Sequence, residues 1–100
     1  MILVRNVFQL KFGKAKEAVA VLKEGAALFN KLRGPDTTIR ILTDITGPFY
    51  TVVLELTHPD LAASEATSRK IMGNPEWQAN YQKFVPLVES GHREIFTVVD

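Results

Sequence analysis

The side chains in this sequence that could do chemistry are few, and none is a thiol. The absence of cysteine excludes disulfides, thiolate metal sites and cysteine nucleophiles, and it suits a reducing compartment. Two histidines, His58 and His92, fall at a predicted strand exit and strand entrance, where a general base could meet solvent and substrate together. Their spacing matches no metal-ligand pattern, so no metal site is expected. Ser64, Ser68 and Ser90 have no partnered base, and the sequence has neither a glycine-rich phosphate loop nor a nucleophile elbow. Hydrolase, kinase and nicotinamide-enzyme readings therefore have no support. Three other residues remain. Asn6 interrupts an apolar strand face, so it either bonds a neighbour or faces a cavity. Trp77 and Tyr81 could wall a pocket and offer an N–H and an O–H to a planar ligand, although core packing is the plainer reading for Trp77.

The elements that must position these residues can be read from periodicity. Residues 1–12 alternate, with Ile2, Val4, Phe8, Leu10 and Phe12 on the side that also carries Asn6, which predicts a long strand. Residues 14–33 repeat Ala15, Ala18, Val19, Leu22, Ala26, Phe29 and Leu32 at helical spacing, and Gly34-Pro35 stops that helix. Residues 37–46 and 49–57 are rich in β-branched and aromatic residues around Gly47-Pro48, a hairpin pattern. Asp60 caps a predicted helix from Leu61 to Met72 whose inward side chains are small, among them Ala62, Ala66 and Thr67. Asn74 and Pro75 begin another helix, with Trp77, Tyr81, Phe84, Val85 and Val88 as its stripe. Pro86 should break it near Phe84, a short turn should run to Ser90, and residues 93–99 should form the last strand.

The order is βαββαβ, with the second helical segment in two pieces. A chain of 100 residues, 46% hydrophobic and 23% charged, makes one domain. A net charge of +1 argues against a nucleic-acid binder, although residues 1–40 hold eight Lys or Arg against three acids. Most of that excess lies on one helix, as a solvated face. No apolar run approaches the ~20 residues of a membrane span. MILVRNVF is not built as a signal peptide, so the cytoplasm is the expected location.

This βαββαβ order, with an aromatic stripe running into GHREIFTVV, resembles the dimeric ferredoxin-like α+β barrels. That superfamily includes NIPSNAP-like proteins and the small antibiotic-biosynthesis and haem-degrading monooxygenases. The resemblance implies an α+β fold with a four-stranded antiparallel sheet and helices on one face. Asn6 and the FQLKFGKAKEAV beyond it look like the first strand and helix start of the haem-degrading members, where a strand Asn belongs to the catalytic set. Those members also use a Trp on the second helix and an iron-ligating His; the corresponding positions here are Ile71 and Tyr81. The resemblance thus implies no haem and no other cofactor. What it does imply is a small-molecule-binding dimer of NIPSNAP-like type. The alternatives are a cofactor-independent monooxygenase acting on an aromatic or polyketide-like substrate, with Asn6 and Tyr81 as catalytic residues, and a structural or interaction module.

Two spatial expectations follow. The small side chains of the Leu61–Met72 helix should leave a cavity for a small apolar or aromatic ligand, with Val4, Phe8, Tyr50, Val52 and Trp77 as walls. Helices on one side of the sheet leave the other side open, and the strands carry apolar residues on both sides. A homodimer packed sheet to sheet would cover the open face.

Overall fold

Alternation in the first strand organises the whole molecule. In the computed structural model, which describes residues 1–99, β1 spans Ile2–Leu10 and lies between two antiparallel neighbours. These are β3 (Thr51–His58) and β4 (Val88–Thr97); β2 (Thr38–Thr43) pairs outside β3, which gives the order β2-β3-β1-β4. Helices α1 (Ala15–Leu32), α2 (Leu61–Met72) and α3 (Pro75–Phe84) lie between strands in sequence, and a 3-10 turn, Val85–Leu87, follows α3. This is the ferredoxin-like α+β fold that the sequence implied.

The helix starts form for the reasons read in the sequence. The Asp60 carboxylate accepts from the Ala63 amide at 2.8 Å, and the Asn74 side chain accepts from the Trp77 amide at 2.9 Å. The core beneath α1 and α3 is Leu10, Ala18, Leu22, Val52, Leu54, Phe84 and Leu87. The edge of Phe8 meets the Phe84 ring at 4.9 Å.

Three expectations change. Strand β4 begins at Val88 rather than near residue 93, because Val88 pairs with Leu10 across a register shift beside Gln9, so the segment through Ser90 and Gly91 is strand and not turn. Strand β1 stops at Leu10, and Phe12 turns outward to stack its edge on Tyr50 at 4.8 Å. The buried stripe on α3 runs through Asn80 and Phe84 to Leu87 in the turn, whereas Tyr81 and Val85 face outward. The 3-10 turn at Pro86 rotates the chain and brings Leu87 inward.

Cross-strand rows assign the two faces. On the helix side lie the rows Ile39–Leu56–Val4–Ile95 and Ile41–Leu54–Asn6–Arg93. On the other side lie Leu42–Val53–Val7–His92 and, next to it, Arg40–Glu55–Arg5–Glu94, whose charges alternate in sign across all four strands.

Candidate functional site

Helix α2 presents Ser64, Thr67, Ser68 and Ile71 toward the sheet, and their combined bulk is too small to fill the space beneath them. A cavity of about 130 Å³ remains. Its floor is Val4, Asn6, Leu54, Leu56, Ile39, His58 and Arg93, and Phe29 of α1 and Trp77 of α3 close its sides. An open groove of about 640 Å³ adjoins it, lined by Phe8, Tyr81, Val88, Ser90, Gly91 and His92. Asn6, Leu54, Met72, Trp77 and Arg93 line both spaces and so form the mouth between them.

Each mouth residue is held by an identifiable device. Asn6 lies opposite Arg93 in the strand register, and Arg93 Nε donates to Asn6 Oδ1 at 2.7 Å. Trp77 can lean over the cavity because α1 has Gly25 beneath it: a Cβ there would sit 3.2 Å from both Trp77 Cζ3 and Asn80 Nδ2. Asn80 ties the same two helices together, donating from Nδ2 to the Val21 carbonyl at 2.9 Å. In the groove, Gly91 leaves room for Phe8, whose Cδ1 would lie 2.9 Å from an added Cβ.

His58 ends β3 at the far end of the cavity, only 3% exposed, with Nδ1 enclosed and lacking a hydrogen-bond partner. Burial pushes its pKa below the ordinary 6.5, so the imidazole is neutral at pH 7. Arg93 has no carboxylate partner among the described residues. The site therefore combines one unpaired cation at its mouth, one neutral imidazole at its depth and apolar walls between them. Among the described residues no cluster of His, Asp or Glu is placed to hold a metal.

Of the residues singled out from sequence, Val4, Asn6 and Trp77 meet in the cavity, while Phe8 and Tyr81 lie on the adjoining groove. Two wall assignments are corrected. Val52 is 0% exposed in the core beneath α1 and α3, where it belongs to the cluster with Ala18 and Leu22 of α1 and Phe84 of α3. Tyr50, at φ 60° in the turn before β3, lies against Phe12 at another surface depression. His92 sits on edge strand β4 with Nε2 3.5 Å from the Glu94 carboxylate, outside the inner cavity. Arg93 and Phe29 were not foreseen as lining residues. The one sequence signal for this wall was the Ser64, Thr67, Ser68 spacing, which puts three small polar side chains on one face of α2. The wall runs through them rather than through Ala62 and Ala66.

A family model described as NIPSNAP matches residues 5–100. No curated protein sequence matches the chain. Among solved structures, a NIPSNAP domain protein from Burkholderia xenovorans superposes with a TM-score of 0.88 at 19% identity, over 99% of this chain and 95% of that one. A NIPSNAP family protein from Agrobacterium tumefaciens gives 0.88 at 21% identity, over 99% and 86%. A provisionally assigned antibiotic biosynthesis monooxygenase from Nitrosomonas europaea gives 0.79 at 12% identity, over the full length of both chains. At such identities the likeness to these structures is one of fold.

Proposed function

This chain belongs to the NIPSNAP family, and from that premise we propose that it is a small-molecule-binding protein, with its ligand between the sheet and α2. The observation that carries the reading is the cavity continuous with a groove, with Asn6, Trp77 and Arg93 at the junction. Protein interiors are otherwise close-packed, and a concave apolar space with a few convergent polar groups is the usual form of a ligand site. Native mass spectrometry of the purified protein should show a small retained mass beyond the polypeptide. Bare protein in that spectrum, together with no thermal shift from any member of a panel of small aromatics, would overturn the reading.

The binding unit in this proposal is a homodimer joined through the open sheet face. Supporting it are Leu3, Val7, Leu42, Val53 and Phe96, which the register assigns to that face. The charged groups there are already paired: Arg5 with Glu94 at 2.8 Å, and Arg40 with Glu55. A second copy can therefore cover the face without stranding a charge. Among the described residues no helix is long and apolar enough to cross a membrane, and the cysteine-free composition suits the cytoplasm.

A second reading, a cofactor-independent oxygenase, draws support from the fold shared with the Nitrosomonas protein and from Asn6 at the cavity mouth. Tyr81, 43% exposed on the groove, would then act from outside the inner cavity. Oxygen uptake with hydroxylated polycyclic aromatics, without added flavin or metal and slowed by Asn6→Ala, is the expected result. Inactivity across a broad phenol panel would remove this reading and leave the binding protein.

A further inference from the structure

We infer that the cavity selects a small planar hydroxy acid, its anionic group at Arg93, an apolar body one aromatic ring across, and its hydroxyl at His58. This rests on the ligand-site reading above and adds the chemical class.

The mouth supplies the anion site. Arg93 Nε is engaged by Asn6 Oδ1 at 2.7 Å, which fixes the plane of the guanidinium and leaves its paired Nη groups as the fork that carboxylates fit. No described carboxylate neutralises this arginine, although Arg5, Arg40 and Arg69 each have one. An unpaired cation bordering an apolar cavity favours an anionic ligand over a neutral one.

The far end supplies the hydroxyl site. His58 Nδ1 is enclosed and unpartnered, and an unmade hydrogen bond on a buried polar atom costs stability that a ligand hydroxyl would recover. The Ser64, Thr67 and Ser68 side chains of α2 border the same cavity and can extend that bond. Burial keeps the imidazole neutral, so this end suits a hydroxyl rather than a second anion.

The spacing supplies the body. His58 pairs with Ile2, and Arg93 with Asn6, so on this face a single row, Val4 with Leu56, Ile39 and Ile95, separates the two polar ends. The His58 and Arg93 rows are four residues apart on β1, ~13 Å along the strands, and the two side chains reach into that span from β3 and β4. The cavity of about 130 Å³ left between them has room for one aromatic ring with a substituent at each end. Trp77 and Phe29 flank it as apolar walls.

The test uses 4-hydroxybenzoate, benzoate and phenol as probes, by calorimetry and by the fluorescence of Trp77, the sole tryptophan. 4-Hydroxybenzoate should bind at least about tenfold more tightly than either analogue, since benzoate leaves the buried His58 Nδ1 unpartnered and phenol forgoes the charge-assisted bonds to Arg93. Arg93→Gln should weaken both acids by about tenfold or more and leave phenol unchanged. His58→Phe should reduce 4-hydroxybenzoate to the affinity of benzoate, and the His58 Nδ1 nitrogen resonance should move with 4-hydroxybenzoate but not with benzoate. Arg93 lies on an exposed edge strand, so Arg93→Gln decides the matter if His58→Phe does not fold. Phenol binding as tightly as the hydroxy acid, indifferent to Arg93→Gln, would overturn the assigned class and leave the cavity as a ligand site. No response to any of the three probes would overturn the class as well, and the mass spectrum then judges the ligand site separately.

Discussion

At the scale of the residue, His58 and Trp77 carry consequences that solution measurements can read. Burial holds the folded-state pKa of His58 below 6.5, while the unfolded chain keeps the ordinary value. Between those two values the unfolded state binds the extra proton, so stability should rise with pH through that window and level off above 6.5. Urea denaturation at a series of pH values should show that slope in the wild type and a flatter one in His58→Phe; equal slopes would mean that the histidine is not buried neutral. Trp77, expected as a cavity wall, lines the cavity and is half-buried at its mouth, so Trp77→Ala should cost about 2 kcal/mol, less than a fully buried aromatic. An unchanged midpoint would place the ring outside the packed structure.

At the scale of the element, the contact between α1 and α3 determines whether the mouth exists. Gly25 is the close-approach position, and neither Trp77 nor Asn80 can stay where it is once a branched side chain occupies that site. Gly25→Leu should lower stability by roughly 1–3 kcal/mol, the range for overpacking, despite the better helix propensity of leucine. It should also shift the Trp77 emission. A variant as stable as wild type, with unaltered emission, would show that the helices do not pack through this glycine. Helix α2 works in the opposite sense. It places small side chains where α1 places Phe29 and Leu22, and the cavity lies under the helix with less to fill it.

At the scale of the whole molecule, the open face is the main unsolved burial. Its central charged row reads Arg40, Glu55, Arg5, Glu94 across the sheet. A two-fold axis parallel to the strands would reverse that row against itself, setting Arg40 opposite the partner's Glu94 and Glu55 opposite the partner's Arg5. An axis across the strands would oppose like charges instead. Sedimentation equilibrium should report about twice the 11.2 kDa chain mass. Phe96, 48% exposed on this face, is the sensitive position: Phe96→Glu should yield a folded monomer by the same measurement. A wild-type monomer at micromolar concentration would overturn the sheet-to-sheet dimer.

The sequence by itself determined the element order, the helix starts at Asp60 and Asn74, and the break at Pro86, because caps, prolines and periodicity act through a few neighbouring residues. It also isolated Asn6 as a polar residue in an apolar strand face and α2 as the helix with small side chains. It did not determine which face of β4 meets the helices. Arg93 and His92 are adjacent in sequence, and only the register that pairs Arg93 with Asn6 puts the guanidinium beside the cavity. The fate of Val52 and Tyr50 was settled in the same way, by which helix lies over each row, and so was the burial of Asn80 in place of Tyr81. Strand alternation offers two faces of equal standing, and the choice between them depends on contacts between residues far apart in the chain, which exist only once the sheet and helices have packed.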